Sequence, residues 1–519
     1  MKRGCALLQL DGSALTCDQV VAVARGGSLV RYTGEALARI DTAARQAAAV
    51  AARSPVYGRG TGVGANRTVA IAADDGGHGL RVLRSHAAAA GRPLPAAAVR
   101  AMLLVRANQL AQGGSGVAAA TAQALVRMLN DDALPTVRSH GSVGTGDLTG
   151  LAATALTLIG ERPATRPWQP LTAFDGADAL AFISSNALTL GRAALAAWDL
   201  ERLIRAGAVT AGLSFAAVDG NTEAFSEAAR RTAPSDGVAT VGDWLRGLTA
   251  AAPAAARVQD PFGYRAYPQV HGVLVDAWRD LAGSVETLTA TAQENPLIVT
   301  AARDDDAAAV HHGGFHLAGL ALKLDTVRLA LAQTTPLLLG RLRTLNDPAY
   351  TRLPAFLAAG PAGASGTMIL EYVAASAHGA LRAAAAPVGL ETAVLSHGTE
   401  EDASFASLGA RQLEDAVAAF RPMLACELLT AARALLMRAP GAPRSAGGPL
   451  DEALRRWEER TGPRPDAFDD RDLQDELLAA EEIVGDLADL LPRPTYYGER
   501  RYSSDEIAAQ GDQLGLITA

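Results

Sequence analysis

The amino-acid sequence predicts an all-α protein, and three observations support this prediction. Alanine and leucine dominate the 519 residues, and alanine is the strongest helix former. Aromatic residues make up only 5% of the chain, and the β-branched and aromatic runs that mark strands are scarce. Apolar residues recur at helical spacing in long windows that glycine-rich segments separate.

The clearest helical windows are residues 100–110, 178–203, 316–339, 368–385, 410–437 and 473–491. Glycine-rich loops or tight turns are predicted at residues 57–64, 113–116, 141–150 and 360–366. Residues 438–448 predict an exposed connector. Residues 449–491 are rich in acidic residues and arginine, with leucine at helical spacing, and predict a solvated helical pair at the surface.

Charge and cysteine content exclude several classes of protein. The chain has 47 basic and 55 acidic residues, a net charge of −8, and no basic cluster of the kind that binds nucleic acid. Its three cysteines, Cys5, Cys17 and Cys426, cannot form a disulfide framework, which favours the cytoplasm. No segment has the ~18 consecutive apolar residues of a membrane span. Neither H-E-x-x-H nor C-x-x-C occurs, so we expect no metal site.

The loop at residues 57–64 reads YGRGTGVG and begins with a tyrosine. No strand precedes it as in a dinucleotide motif, and it lacks the G-K-[ST] ending of a phosphate loop, so phosphate binding is disfavoured. Glycines let a backbone pass close to a ligand, and Tyr57 would be a general base if its pKa were lowered. Taken alone, the pattern favours a packing aromatic in a turn.

Further stretches give this loop a context. They are LRSHAAAA at 83–90, RANQLAQGGSG at 106–116, HGSVGTGDL at 140–148, RVQDPFGYRAYPQV at 257–270, ENPL at 294–297, GGFH at 313–316 and GTMILE at 366–371. Together with residues 57–64 and in this order, they resemble the histidine and aromatic amino-acid ammonia-lyase family. The resemblance extends from about residue 20 to about residue 430.

The resemblance implies the all-α ammonia-lyase fold of the fumarase and aspartase-like superfamily, with a long central helix bundle. It also implies a homotetramer whose active sites are shared between subunits and take a small-molecule substrate. Residues 1–200 would carry the catalytic loops. Residues 201–519 would supply the bundle and end in an acidic helical segment.

The family makes an electrophile, methylidene-imidazolone, from its own Ala-Ser-Gly tripeptide. Here the loop is one residue shorter, and Gly144, Thr145 and Gly146 take the place of the tripeptide. Dehydrated threonine would leave a methyl group on the alkene carbon, which crowds attack there. We therefore expect no methylidene-imidazolone cofactor. An intact Ala-Ser-Gly at residues 364–366 matches an ordinary turn before a helix in the family.

Other site residues follow from the same resemblance. Tyr57 matches the catalytic base, Arg265 matches the arginine that grips the substrate carboxylate, and His86 matches a histidine near the aromatic ring. A guanidinium binds a carboxylate through two parallel hydrogen bonds. Phe262 replaces a second functional tyrosine, and its ring cannot donate a hydrogen bond. Tyr264, two positions further on, is the alternative donor.

Five more positions complete the predicted site. Ser184 occupies the place of an asparagine that contacts the electrophile, and Asn186 is the alternative. Gln259 matches a residue of the carboxylate-binding loop, Phe315 an aromatic near the site, and Glu401 an acidic residue near the amine.

Three functions remain open. The first is an enzyme that keeps the tyrosine and dispenses with the electrophile, for elimination, isomerisation, conjugate addition or cyclisation of an amino-acid-derived or natural-product substrate. One branch of the family resembles this, since it removes trimethylamine from ergothioneine without the prosthetic group. The second is an ordinary ammonia-lyase or aminomutase in which Gly144, Thr145 and Gly146 cyclise. The third is a non-catalytic ligand-binding relative.

Overall fold

The structure is a computed structural model that describes residues 7–72, 75–172, 174–438, 448–462 and 469–494. Its helices are α1 Cys17–Ala24, α2 Gly34–Arg53, α3 His78–His86, α4 Ala96–Leu110, α5 Ala119–Asn130, α6 Leu148–Leu158, α7 Asp178–Ile183, α8 Ala187–Ala217, α9 Glu227–Arg230, α10 Asp236–Leu248, α11 Phe262–Arg265, α12 Tyr267–Thr289, α13 Ala318–Leu345, α14 Pro348–Thr351, α15 Met368–Ala384, α16 Ala406–Arg438, α17 Pro449–Thr461 and α18 Gln474–Val484. Helices dominate, and the all-α prediction is confirmed. Cys5 and most of the predicted connector at 438–448 lie outside the described residues.

Each of the six predicted windows contains helix, and the one at 178–203 is interrupted. Its helix stops after Ile183 and restarts at Ala187. Between them, the hydroxyl of Ser185 donates to the side chain of Gln109 at 2.6 Å and accepts from the backbone N–H of Ala187. Local hydrogen bonds of this kind compete with the helix ladder and explain the break. The break presents Ser184 and its neighbours to the candidate site.

Helix α8 forms the centre of the core and packs against α4, α12 and α16. The stretch Asp178–Ala217 is long and apolar enough to cross a membrane, but its most apolar window is entirely buried inside the protein. It is therefore a core helix. The domain boundary predicted at residue 200 falls inside α8, which joins the two predicted parts as one continuous helix.

The acidic C-terminal segment forms α17 and α18, in agreement with a helical pair. It is less solvated than predicted, because Trp457 and Val484 are buried in the main core. Between the two helices, Asp470 accepts the backbone N–H groups of Ser365 and Gly366, both at 2.7 Å. The Ala-Ser-Gly at 364–366 is thus the turn before α15, as predicted.

The described residues also form three small two-stranded sheets that the sequence did not predict. They pair β1 Leu7–Leu10 with β2 Leu29–Tyr32 in parallel, and β3 Ala90–Pro93 with β4 Arg138–His140 and β5 Leu297–Val299 with β6 Ala308–Val310 in antiparallel fashion. Two of them position the site. Strand β4 ends directly before the glycine loop at 141–150, and β6 ends directly before His311.

Candidate active site

Several predicted residues meet around a cavity of about 540 Å³, which we call the tyrosine cavity. Its lining residues are Tyr57, Gly64, Arg67, Thr145, Leu148, Leu180, Ser184, Asn295, His311, Phe315, His316, Thr399, Glu400, Glu401 and Asp402. Among these described residues, three carboxylates oppose one guanidinium. The cavity is acidic and therefore suits a cationic group.

Tyr57 lies at the start of the glycine loop that follows α2. The backbone N–H of Gly64 donates to the Tyr57 hydroxyl oxygen at 2.7 Å, which favours the phenolate. Burial and the charge of Glu400 act in the opposite direction, and they raise the pKa of Tyr57 above its ordinary value although Gly64 and Arg67 lower it. The lowered pKa that a free tyrosine base needs is therefore absent from the single chain.

The Gly-Thr-Gly loop is held through its backbone. Gly144 has a φ of +88°, and its carbonyl oxygen accepts from the Ser404 hydroxyl at 2.8 Å. The N–H of Phe405 donates to the carbonyl oxygen of Val143 at 2.8 Å. A Cβ at Gly144 would lie 2.2 Å from Ser404 Oγ, so the alanine of the family's tripeptide does not fit here without a shift. Thr145 lines the tyrosine cavity.

The structure distinguishes the two candidates for the asparagine position. Ser184 lines the cavity, and its hydroxyl accepts from the N–H of Asn295 at 3.1 Å. Asn186 is fully buried behind the wall, where its Oδ1 accepts from Gly146 N at 3.0 Å and its Nδ2 donates to the Phe315 carbonyl oxygen at 2.7 Å. Ser184 therefore faces the cavity, and Asn186 holds the Gly-Thr-Gly loop in place.

Two histidines that the sequence did not assign to the site also line the cavity. His311 Nε2 accepts from the Tyr57 N–H at 3.3 Å. His316 Nε2 lies 3.2 Å from Asp402 Oδ2, out of line for a hydrogen bond. His316 ends the GGFH motif at 313–316, and His311 precedes that motif by two positions. Among the described residues, no group of three or more histidine, cysteine or carboxylate side chains is placed to hold a metal ion.

Comparison with known proteins places these features in a family. The sequence profile described as "Aromatic amino acid lyase" matches residues 15–458. The chain belongs to this family. It is 32% identical to the histidine ammonia-lyase of Treponema denticola, across 92% of this chain and 96% of that protein. It is 33% identical to the histidine ammonia-lyase of Symbiobacterium thermophilum, across 91% and 96%.

Solved structures of the lyase family share the fold. Histidine ammonia-lyase from Trypanosoma cruzi superposes with a TM-score of 0.82 at 25% identity, covering 94% of this chain and 96% of that one. The ergothioneine-degrading enzyme ergothionase from Treponema denticola superposes with a TM-score of 0.83 at 23% identity, covering 93% and 99%. The ammonia-lyase fold predicted from the sequence is confirmed.

Two predicted lyase residues lie away from the tyrosine cavity. His86 ends α3, and its Nδ1 hydrogen-bonds the Val82 carbonyl oxygen at 2.8 Å. Tyr264 is enclosed in the core, where its hydroxyl and that of Thr344 are 2.6 Å apart, and burial raises the pKa of Tyr264. Its placement contradicts the suggestion that Tyr264 replaces the missing tyrosine, because its hydroxyl has an internal partner.

The predicted carboxylate-binding loop is also absent from the cavity lining of this chain. Gln259 is exposed, and Phe262 exposes 64% of its surface. The Arg265 guanidinium lies 4.6 Å from the centre of the Phe262 ring, and its Nε has no hydrogen-bond partner. An exposed aromatic ring beside a partly exposed arginine is a surface suited to a further chain.

Proposed function

We propose that this protein is a carbon–nitrogen lyase that acts without a methylidene-imidazolone group and uses Tyr57 for proton transfer. The reaction that the site supports best is elimination of an already quaternary amine from an amino-acid-derived carboxylate. The observation that carries the proposal is the acidic wall formed by Glu400, Glu401 and Asp402 in the same cavity as Tyr57.

A quaternary ammonium removes the need for an electrophile. An ordinary amine is a poor leaving group, whereas a trimethylammonium group departs as neutral trimethylamine and takes the electron pair of the breaking C–N bond with it. The proton on the neighbouring carbon passes to the Tyr57 oxygen, and its electron pair forms the carbon–carbon double bond. The carboxylates attract the cation before the reaction and require no covalent step.

A cationic substrate also counteracts the raised pKa of Tyr57. A positive charge close to a phenol favours its ionised form, so binding of the substrate lowers the pKa of Tyr57. The Gly64 N–H already points at the hydroxyl oxygen and stabilises the phenolate that results. Substrate binding would thus generate the base next to the proton that it removes.

The Gly-Thr-Gly loop supports the absence of the electrophile. Gly144 stands where the family has alanine, and a Cβ there would collide with Ser404 Oγ and approach the backbone nitrogens of Ala406 and Phe405 to within 3 Å. Thr145 adds a methyl group where the family has serine. Because these residues do not fit a methylidene-imidazolone group, the proposed reaction has no step that uses one.

A second copy of the chain completes the site in this proposal. Gln259, which is exposed, and Phe262 and Arg265 of the short helix α11 lie outside the cavity of their own chain. We infer that they enter the tyrosine cavity of another copy within a homotetramer, as the family resemblance implies. Arg265 would then bind the substrate carboxylate through its guanidinium.

The proposal is tested by the mass of the purified protein together with a substrate screen. The peptide that spans Gly141–Leu148 should have its unmodified mass. Trimethylammonium betaines of histidine and of aromatic amino acids should release amine, whereas the parent amino acids should not. The relatives named histidine ammonia-lyase and the neighbour named ergothionase motivate these side chains.

An ordinary ammonia-lyase is the second candidate, favoured by 32–33% identity to histidine ammonia-lyases over most of the chain. It predicts that the loop peptide is lighter by two waters and that free amino acids are the substrates. Unmodified mass without turnover of any betaine or amino acid would instead favour a non-catalytic ligand-binding protein.

A further inference from the structure

A second cavity of about 460 Å³ lies on the other side of the Gly-Thr-Gly loop, and we call it the arginine cavity. Ser142, Val143 and Asp147 of the loop line it, together with Arg411 from the start of α16. None of the described residues lines both this cavity and the tyrosine cavity. The loop is therefore a partition with a separate binding space behind it.

The charged groups of the arginine cavity are mainly basic. They are Arg138, His140, Arg192, Arg411 and Asp147. Arg192 is neutralised by Glu414, with Nε at 2.9 Å from Oε1. Asp147 is buried, and its carboxylate already accepts from the N–H and the hydroxyl of Thr189 at 2.8 and 3.0 Å.

Two arginines remain without a counter-ion. Arg138 donates only to the carbonyl oxygen of Gly91 at 2.8 Å, and Arg411 Nη1 lies 3.3 Å from His140 Nε2. Asp147 is the one carboxylate among the described residues that line the cavity, and within the described part of the chain neither Arg138 nor Arg411 forms an ion pair with a carboxylate. A histidine nitrogen is a weak substitute for an anion, so both guanidinium groups keep most of their binding capacity.

We propose that the arginine cavity binds a small oxyanion, the phosphate or carboxylate group of a metabolite. Guanidinium groups recognise both kinds of oxyanion through paired N–H donors. The first turn of α16 lies at the same cavity through Ser407 and Leu408, and the positive end of a helix dipole favours an anion there. The cavity volume is that of a site for a small metabolite.

An anion in this cavity would contact the segments that hold the partition. The Ser407 hydroxyl donates to the Ser142 carbonyl oxygen at 2.9 Å, and Phe405 N donates to the Val143 carbonyl oxygen at 2.8 Å. A ligand that joins Arg411 to Arg138 would tie the start of α16 to strand β4. Binding should therefore raise the thermal stability of the protein.

The test measures anion binding to the full-length protein by calorimetry and thermal unfolding. Inorganic phosphate and citrate are titrated at constant ionic strength against chloride. We expect saturable binding of at least one of them and a higher unfolding temperature. Arg411→Gln and Arg138→Gln should each weaken binding about tenfold or more, the loss of a charge-assisted hydrogen bond.

Arg382→Gln is the matched control, because Arg382 is an exposed arginine of α15 that lies outside both cavities. If the anions change the unfolding temperature of the wild type and of all three variants equally, the change is a general effect of ions. That result would overturn the proposal. So would a wild type that binds neither anion. Should Arg411→Gln fail to fold, Arg411→Lys keeps the charge and loses the paired donors, and it should still weaken binding.

Two further results of these experiments identify what occupies the arginine cavity. Preference for phosphate over citrate would point to a phosphorylated metabolite, and the reverse to a carboxylate. If Arg411→Gln changes the number of subunits in the oligomer, as measured by sedimentation, and leaves the anion affinity unchanged, the cavity is an interface between copies of the chain. The proposal is then wrong. None of these measurements uses catalytic turnover, so the outcome is independent of the proposed elimination.

Discussion

The two cavities share a wall and differ in charge. On one side of the Gly-Thr-Gly loop, the tyrosine cavity has three carboxylates and one arginine. On the other side, the arginine cavity has three arginines and one buried carboxylate, Asp147. The charge along residues 399–411 changes in the same way, from the acidic Glu400, Glu401 and Asp402 to the basic Arg411. The Gly-Thr-Gly loop thus lies between a cavity lined mainly by acidic groups and a cavity lined mainly by basic groups.

The difference shows which parts of the loop are constrained. The backbone of residues 142–144 is held from the arginine side by Ser404, Phe405 and Ser407. Of Gly144, Thr145 and Gly146, it is Thr145 that lines the tyrosine cavity. In the proposed elimination, the chemistry in the tyrosine cavity depends on Tyr57 and the three carboxylates of that cavity. Ser404, Phe405 and Ser407, together with Asn186 at Gly146, hold the loop in its position.

The largest effect is expected on the tyrosine side. Tyr57→Phe removes the only atom of Tyr57 that can take a proton, and kcat for the true substrate should fall by about 10²- to 10⁴-fold. Steady-state kinetics and circular dichroism would separate lost chemistry from lost fold. Tyr372→Phe is the matched control, since Tyr372 is 68% exposed on α15, away from both cavities. Retained turnover in Tyr57→Phe would contradict the assignment.

A second effect tests whether the tyrosine cavity is completed by another copy. Tyr57→Phe and Arg265→Gln should each be nearly inactive at substrate concentrations below KM. Co-expression of the two variants should restore activity, because mixed oligomers combine an intact Tyr57 with an intact Arg265 from different chains. Random mixing predicts about a quarter of the sites. No recovery in mixed oligomers proven by mass spectrometry would mean that both residues must come from one chain.

A third prediction concerns the shared wall itself. Gly144→Ala places a Cβ against Ser404 at a φ of +88°, so stability should fall by about 2 kcal/mol or more. The midpoint of urea unfolding measures it. Gly247→Ala is the control: it lies exposed inside α10 with open space around it, and alanine there should stabilise by about 0.5 kcal/mol or more. If Gly144→Ala unfolds at the same urea concentration as the wild type, the Gly-Thr-Gly loop is free to move away from Ser404.

The sequence predicted the fold because helical periodicity is a local signal. The helices α4, α8, α13, α15 and α16 overlap predicted windows, whereas α2 and α12, of 20 and 23 residues, lie outside them. The short strands escaped prediction because three or four residues carry too little pattern. The site was predicted in part: motif matches brought Tyr57, Thr145 and Ser184 together. Motif matching could not tell that Tyr264 is internally paired, nor that Arg138 and Arg411, far apart in sequence, share a cavity.

The smallest predicted effect is a pair of opposite pH shifts on the tyrosine side. Glu400 raises the pKa of Tyr57 and Arg67 lowers it. If the phenolate is the active form, kcat/KM rises with pH. Glu400→Gln should then move the rising limb to lower pH and Arg67→Gln to higher pH, each by up to about one unit. Asp415→Asn, an exposed carboxylate outside both cavities, should leave the profile in place. Shifts in the same direction would show that another group titrates, and the base would have to be sought elsewhere in the cavity, beginning with the His316 and Asp402 pair.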